Sequence, residues 1–398
     1  MGNWSSWRFS AGWIVAVVAA GLLLLIYASL PLGPKLPVYQ GKSLYAWASE
    51  LSQAQQNYSD PNRWKKIQAA TEAIRAMGSN ALPFVMADIQ AHATVKDRVI
   101  NWLAPRLRFL KLQPRKVEDR WVRGIRALEV LGPMGKPYLP QLLTLVSNST
   151  GYSEEALLAL GSEALPAFTN LLAKSKFPQT GNLIGAFANA VYADRIKPEE
   201  ASVALPYLVQ VFRSTDVHGR WYAAGALGAI HQDPDLCVPL LIQGLTNATP
   251  SVRESCVQSL GRFGEAASPH AGELADIFDQ ADSLTRRAIC GALAGFHSAA
   301  AIAIPILVRG LRDPDVNVRI WAATGLGQLA GLPDQAVPAL AQAVDDPNAI
   351  VRTMTVQSLG QFGIRTTNVL SILDQKCSDP DPAVRNAATN AMRRITQN

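Results

Sequence analysis

Arginine and lysine are the residues whose placement in this sequence is most unusual, and both could bind an anionic partner. Residues 62–126 hold fourteen Lys and Arg against five Asp and Glu, a net charge of +9 in a chain whose total is +6. Trp64, Trp102, Phe109 and Trp121 lie among these charges. An anionic membrane or protein would suit the segment, and nucleic acid is a further option. Solvated charges with arginine stems packed on tryptophan would need no partner. The predicted binding patch comprises Arg106, Arg108, Lys111, Arg115, Lys116, Arg120, Arg123 and Arg126.

A second set of arginines repeats along the chain at a fixed interval. These arginines follow one another every 33 residues, and they are Arg220, Arg253, Arg286, Arg319, Arg352 and Arg385. Three aspartates of the same period, Asp313, Asp346 and Asp379, each precede a proline. The arginines could form a stripe for an anionic ligand, but a feature that every unit repeats usually belongs to the unit itself. We therefore predict a structural ladder, in which each arginine contacts a turn aspartate or helix-end carbonyls of a neighbouring unit.

The remaining reactive side chains show no spacing that indicates catalysis. The four cysteines form no C-x-x-C pair, and the five histidines form no H-E-x-x-H motif. Cys256 stands where other units carry alanine, which predicts a small buried residue. Nucleophile-elbow, Walker and dinucleotide-binding motifs are also missing from the sequence. We predict no catalytic residue, no metal ligand and no cofactor.

The elements that carry these arginines are helices, as the apolar spacing indicates. Val337, Leu340, Ala341 and Val344 recur at i, i+3, i+4 and i+7, with Pro338 in the first turn. A second helix holds the ladder arginine, and in the last three units it follows an Asp-Pro turn. Each unit is therefore helix A, a turn and helix B. Since neither helix can bury its apolar stripe alone, neighbouring units must stack into one continuous core.

A recurring string narrows the repeat family. Val-Arg-x-x-Ala-x-x-x-Leu-Gly spans Val318–Gly327 and recurs approximately at Val252–Gly261 and Val351–Gly360. The ankyrin and tetratricopeptide signatures are missing. The string resembles HEAT repeats of the short type found in phycobilisome lyases, clearly over 199–398 and diffusely over 41–198. The resemblance implies an all-α fold, a right-handed α-α superhelix (a HEAT/armadillo-like α-solenoid) of about ten helical pairs. It also implies chromophore lyase-like activity as the main enzymatic alternative.

The N-terminal residues predict a membrane segment. Residues 11–30 carry no charge and match the ~20 apolar residues that cross a bilayer. They follow a flank at 1–10 and precede a proline-rich spacer at 31–40. We predict an uncleaved transmembrane or signal-anchor helix, single-pass, with the body on the extracytoplasmic side. A cleaved signal peptide is the alternative, and it would leave a secreted or periplasmic protein.

Two blocks of repeats follow the spacer. The regular 33-residue repeats occupy 199–398, and irregular repeats with an inserted basic helix occupy 41–198. The Tyr-x-Gly-Lys-x-Leu-x-x-Trp motif at Tyr39–Trp47, which follows the anchor, resembles the start of bacterial membrane-anchored HEAT-repeat proteins. The sequence favours a non-enzymatic, membrane-anchored scaffold that mediates protein–protein interaction or assembly, with an unknown protein partner on the solenoid surface. The alternatives are the lyase-like protein and a nucleic-acid-binding or DNA-glycosylase-like HEAT protein, although nucleic acid fits a membrane anchor poorly.

Overall fold

The computed structural model describes residues 35–105, 116–148, 152–174, 180–329, 332–363 and 367–397. It opens with a short hairpin in which β1 (Val38–Tyr39) pairs antiparallel with β2 (Lys42–Ser43). The two residues between the strands, Gln40 and Gly41, both have positive φ, as a tight two-residue turn requires. Helices make up nearly all the rest of the described chain.

The helices of the described ranges form ten A–B pairs, which we call units 1 to 10. In chain order they are α1 (Leu44–Gln56) and α2 (Arg63–Met77); α3 (Leu82–Ile89), an inserted α4 (Val95–Leu103) and α5 (Val117–Leu131); α6 (Leu139–Ser147) and α7 (Ser153–Leu158); α8 (Leu165–Lys174) and α9 (Thr180–Tyr192); a one-turn α10 (Pro198–Ala201), then α11 (Leu205–Phe212) and α12 (Val217–Ile230); α13 (Pro234–Gly244) and α14 (Pro250–Phe263); α15 (Ala271–Phe278) and α16 (Ser283–Leu293); α17 (Ala300–Gly310) and α18 (Val316–Leu329); α19 (Pro333–Ala343) and α20 (Ala349–Phe362); and α21 (Thr367–Lys376) and α22 (Pro382–Gln397).

Polar residues in the turns explain where several B helices begin. The Asp216 carboxylate accepts from the backbone N–H groups of the first turn of α12, and Asp282 does the same for α16. The Asn348 side chain caps α20. These side chains satisfy N–H groups that have no partner within their own helix.

The core runs the length of the described stack without interruption. The leucine seven residues after each of the first five ladder arginines is at most 1% exposed, and these residues are Leu227, Leu260, Leu293, Leu326 and Leu359. Because this leucine repeats with the unit, each B helix buries the same stripe against its own A helix and its neighbours. The predicted all-α, HEAT/armadillo-like solenoid is confirmed.

Consecutive B helices of the regular block lie closer together than consecutive A helices. A Cβ built on Gly228 would lie 2.4 Å from Ser259 Oγ of the next unit, and one on Gly360 would lie 2.7 Å from Ala391 Cβ. Glycine at this position lets the backbones approach. The more closely spaced layer of a curved stack is the inner one, so the B helices line the concave side.

Among the described residues, no single helix is long and apolar enough to cross a bilayer. Only Ser283–Leu293 with His297–Gly310, joined across a 103° bend, reach that length and hydropathy together. The predicted anchor at 11–30, its flank at 1–10 and the first part of the spacer lie outside the described residues.

Candidate partner-binding face

The basic patch predicted from the sequence is described only in part. Arg106, Arg108, Lys111 and Arg115 lie outside the described residues. Arg120 and Arg123, on α5, both donate to one carboxylate: their Nε atoms lie 3.3 and 2.7 Å from the two oxygens of Asp88 on α3.

Asp88 is 1% exposed, so its charge requires such partners. The guanidinium of Arg126 likewise lies 2.8 Å from Glu129, and Lys116 lines a cleft beside Asp88. Three of the four described patch residues are therefore held in ion pairs within the protein.

Arg123 also contacts an aromatic ring of the first helix. The guanidinium of Arg123 lies 4.2 Å from the centroid of the Tyr45 ring. Burial raises the pKa of Tyr45, the nearby Asp88 carboxylate raises it further, and Arg123 opposes both effects. Arg120 and Arg123 therefore belong to a structural joint between α1, α3 and α5.

The arginine ladder joins consecutive units through paired hydrogen bonds. Arg286 donates from Nε and Nη2 to the two oxygens of Asp313 at 2.6 and 3.0 Å, and its pair is nearly buried. The same two-point contact recurs from Arg319 to Asp346 and from Arg352 to Asp379.

In these three joints, the remaining nitrogen of the arginine donates to the turn of its own unit. Arg319 Nη1 donates to the carbonyls of Asp313 and Pro314 at 2.9 and 3.2 Å, and Arg352 repeats the contact. One guanidinium thus ties its own turn to the aspartate of the next unit. Because all of its donors are directed into the joint, this guanidinium is not available to an external anion.

The other three ladder arginines do not make this two-point contact with a turn aspartate of the next unit. Arg385 reaches only the carbonyls of its own turn, at 2.7 and 2.9 Å, because no described unit follows it. Arg253 pairs instead with Asp282, at 2.8 Å. The Nε of Arg220 is buried and has no hydrogen-bond partner among the described residues. By the spacing of the complete joints, the residue that should accept from Arg220 is Asn247, which replaces the turn aspartate.

The three buried cysteines are poor nucleophiles in this fold. Burial raises the pKa of Cys237 to about 11 and that of Cys256 and Cys290 to about 12. Cys256 is 0% exposed, in keeping with the alanine positions it replaces. Among the described residues, no group of three or more His, Cys, Asp and Glu side chains has a metal-binding arrangement.

The concave side carries a surface of distinct composition, which sequence reasoning missed. We call it the B face, and define it as the side chains of α12, α14, α16, α18 and α20 that follow the ladder arginine and are not buried. They are Trp221, Tyr222, Gly225, Glu254, Gln258, Gly261, Arg262, Arg287, Gly291, Ile320, Trp321, Thr324, Gln328, Met354, Gln357, Gln361 and Phe362. Four of these seventeen residues are aromatic, against 7% of the whole chain. Only Glu254, Arg262 and Arg287 are charged, and lysine and aspartate do not occur.

Tyr192, at the end of helix B of unit 4, lies beside the B face and contacts the next two units. The Tyr192 hydroxyl, at the end of α9, donates to the carbonyl of Gly225 in unit 5 at 2.8 Å. The Arg262 guanidinium of unit 6 lies 4.2 Å from the Tyr192 ring centroid. Trp221 and Tyr222 lie with ring centroids 4.6 Å apart. These contacts span units 4 to 6, so the face is continuous there.

A cleft of about 350 Å³ opens on the B face above unit 7. Its floor is formed by small residues, including Gly261 and Gly291, and its walls carry Gln258, Arg262 and Trp321. A Cβ on Gly291 would lie 3.4 Å from the indole of Trp321, which is 45% exposed. The signal for this site was present in the sequence: tryptophan follows a ladder arginine by one residue in unit 5 and by two in unit 8.

The stacked pairs define an α-solenoid of the HEAT/armadillo class, and comparison with family models identifies the repeats. A model described as HEAT repeats matches residues 271–360 and 337–398, and a HEAT repeat model matches 237–267. The matched part of the chain therefore consists of HEAT repeats, as the recurring string predicted. A comparison with curated proteins finds no match.

Solved structures resemble the chain in fold. The karyopherin Kap121p, bound to the extreme C-terminus of the protein phosphatase Cdc14p, is 15% identical with a TM-score of 0.53. The match covers 91% of this chain and 46% of the karyopherin. The archaeal HEAT-like repeats protein of Thermococcus onnurineus is 15% identical, with a TM-score of 0.41 and coverage of 58% and 97%. The CpcE–CpcF complex of phycocyanin lyase from Nostoc is 20% identical, with a TM-score of 0.38 and coverage of 57% and 93%.

Proposed function

We propose that the chain is a non-enzymatic scaffold whose B face binds a partner protein, and that its N-terminal segment holds the scaffold at a membrane. The observation that carries the binding proposal is the composition of the B face, which is rich in aromatic residues and poor in Lys, Asp and Glu. The buried centres of protein interfaces show the same bias, with arginine enriched as well. A concave solenoid surface also offers a partner many contacts in a row.

The non-enzymatic part of the proposal is supported by the chemistry of the described residues. The three buried thiols stay protonated at neutral pH, because burial raises the pKa of each well above 7. The only carboxylate of the B face, Glu254, is engaged by Arg287 at 2.5 Å. A shallow cleft with one engaged carboxylate offers no acid–base pair to a substrate.

The membrane part of the proposal rests on the sequence of residues 11–30, which is long and apolar enough to span a bilayer. A short flank before it favours a body on the extracytoplasmic side, where cleavage would release a secreted or periplasmic form. The basic patch, of which four residues lie outside the described chain, would then face anionic headgroups near the anchor.

Site-directed photo-crosslinking tests the binding face. A benzoylphenylalanine placed at Gln328 or Gln357 on the B face should capture a partner protein in native membranes. The same probe at Ile302, which is 45% exposed on helix A of unit 8, is the matched control and should capture far less. Equal capture at all three positions, or capture at Ile302 alone, would refute the B face as the docking surface.

Fractionation tests the anchor and the competing activities. The full chain should stay in the membrane pellet after alkaline carbonate, whereas a chain starting at residue 35 should not. Reversing the charges of Arg106, Arg108, Lys111 and Arg115, which spares the Asp88 joint, should weaken binding to anionic vesicles if the patch contacts lipid. Copurified tetrapyrrole would favour the lyase-like function instead, and sequence-independent DNA binding with a steep salt dependence would favour the nucleic-acid function.

A further inference from the structure

One of the two arginines that line the cleft above unit 7 has no carboxylate partner among the described residues. Arg262 is exposed and forms no ion pair with any residue that the structure describes, whereas Arg287 beside it is held by Glu254 at 2.5 Å. The guanidinium of Arg262 is nevertheless held in place, because it stacks at 4.2 Å on Tyr192, whose hydroxyl is itself hydrogen-bonded to Gly225. A guanidinium fixed in this way keeps its in-plane donors free and loses little entropy when a ligand binds.

The opposite wall of the cleft offers an apolar plane. The Trp321 indole rests against Gly291, which has no side chain to cover it, and Trp321 is 45% exposed. Such a plane takes an aromatic side chain of a ligand by stacking. Gln258, on the wall beside Arg262, can both donate to and accept from a peptide backbone.

Charge decides which class of polymer fits the face. Its two arginines and one glutamate leave a net charge of only +1 over five units. Nucleic acid needs several cations along its path, so the face suits it poorly. The amides of Gln328, Gln357 and Gln361 continue along units 8 and 9 and match the alternating N–H and C=O groups of an extended polypeptide.

We propose that the cleft above unit 7 binds an extended segment of the partner protein that presents an acidic side chain next to an aromatic one. The carboxylate pairs with Arg262, and the aromatic ring packs on Trp321 over Gly291. This inference rests on the proposed function, since it assigns the partner's chemistry at the B face.

Peptide binding by the full chain in detergent micelles tests the proposal. The probe is a fluorescein-labelled pool of random 12-residue peptides with a central Glu-Phe pair, and the matched pools carry Gln-Phe, Lys-Phe or Glu-Ser there. By fluorescence anisotropy, the Glu-Phe pool should bind about tenfold more tightly than the Gln-Phe pool, as one charge-assisted contact predicts. Equal binding of the Glu-Phe and Lys-Phe pools would overturn the proposal.

Variants separate this contact from general effects on the fold. Arg262→Gln should lower the affinity for Glu-Phe to the Gln-Phe level, and Arg262→Glu should transfer the preference to Lys-Phe. Arg309→Gln is the matched control, because Arg309 also lies by an aromatic ring but is on α17, paired with Asp279 at 2.7 Å. It should bind as the unchanged chain does. Gly291→Leu should block the cleft, since a small side chain fits beneath the indole and a larger one extends into the opening.

Different results would refute the acidic segment in the cleft and the B face as the docking surface. If Arg262→Gln binds Glu-Phe peptides as tightly as the unchanged chain, the acidic-segment assignment is wrong. Crosslinking of a partner at Gln328 would still support the B face as its docking surface. Binding of a second copy or of DNA at the cleft, in competition with the Glu-Phe pool, would also overturn the assignment.

Discussion

Asn247→Asp should stabilise the protein, because it supplies the carboxylate that Arg220 lacks. In the ladder joints of the later units, one aspartate oxygen accepts from a backbone N–H two residues on, and both oxygens accept from the arginine. Asn247 Oδ1 already accepts from the backbone N–H of Thr249 at 3.0 Å, so its turn has the same shape. Its other side-chain group is NH2, a donor, which cannot pair with the buried Nε of Arg220.

The hydrogen bonds in the complete joints indicate how much Asn247→Asp should raise the free energy of unfolding. Two hydrogen bonds to a charged group would be worth about 1.5–3 kcal/mol each in isolation. Desolvation of the new carboxylate and its partial exposure to water offset much of this gain, so we expect a net stabilisation of about 1–2 kcal/mol. The gain should be present at neutral pH and lost as the pH falls through about 4, where an ordinary aspartate becomes protonated.

Chemical denaturation followed by circular dichroism measures this change, with two controls. Gln280→Asp places an aspartate at the same ladder position of the next unit, where Arg253 is already paired with Asp282, and it should give little gain. In an Arg220→Leu background, Asn247→Asp should give no gain. A stabilisation that persists in that background, or a destabilisation in the unchanged one, would refute the assignment of the joint.

Three further changes test other parts of the structure. Gly327→Ala should cost about 1–3 kcal/mol in thermal unfolding, because its Cβ would lie 2.4 Å from a serine of the next B helix; Gly272→Ala, with no atom within 4 Å, should be neutral or slightly stabilising. The arginine of the preceding unit lowers the pKa of Asp379, so the stability that this pair contributes should be lost as the pH falls below about 4, and Asp379→Asn should flatten that part of an acid titration. Iodoacetamide at pH 8 should label Cys377 in the folded protein and reach Cys290, which is buried with a pKa of about 12, only after unfolding, as mass spectrometry would show.

The repeat period was sufficient to predict the architecture of the regular block. A leucine that recurs every 33 residues beside an arginine fixes both the helical face and the stacking, because each unit must bury the same stripe. The period fades before residue 199 for physical reasons that the structure shows. Helix B of unit 3 spans only Ser153–Leu158, and α4 interrupts unit 2. Shorter helices and an insertion leave fewer positions at which a common spacing can appear.

Charge counting gave a less accurate account of the basic segment. Asp88 lies 32 and 35 residues before the two arginines that surround it, and nothing in the local sequence marks it as their shared partner. A net charge summed over a segment treats every side chain as exposed. Once the buried carboxylate is placed, two of the eight predicted patch residues belong to a joint between helices.

The B face was missed for the opposite reason, because it consists of departures from the repeat. The position two residues after the ladder arginine is Tyr222 in unit 5 and Trp321 in unit 8, but small in the two units between them. Each ring lies where the preceding unit carries glycine, Gly185 beneath Tyr222 and Gly291 beneath Trp321. Glycine is required beneath Tyr222, since a Cβ on Gly185 would lie 2.6 Å from its ring, whereas a Cβ on Gly291 would contact Trp321 at 3.4 Å. The fold requires the leucine that repeats, but not these glycine–aromatic pairs, which place rings on the solvent side of the layer. Their position on the concave surface is the physical reason to assign binding to the B face.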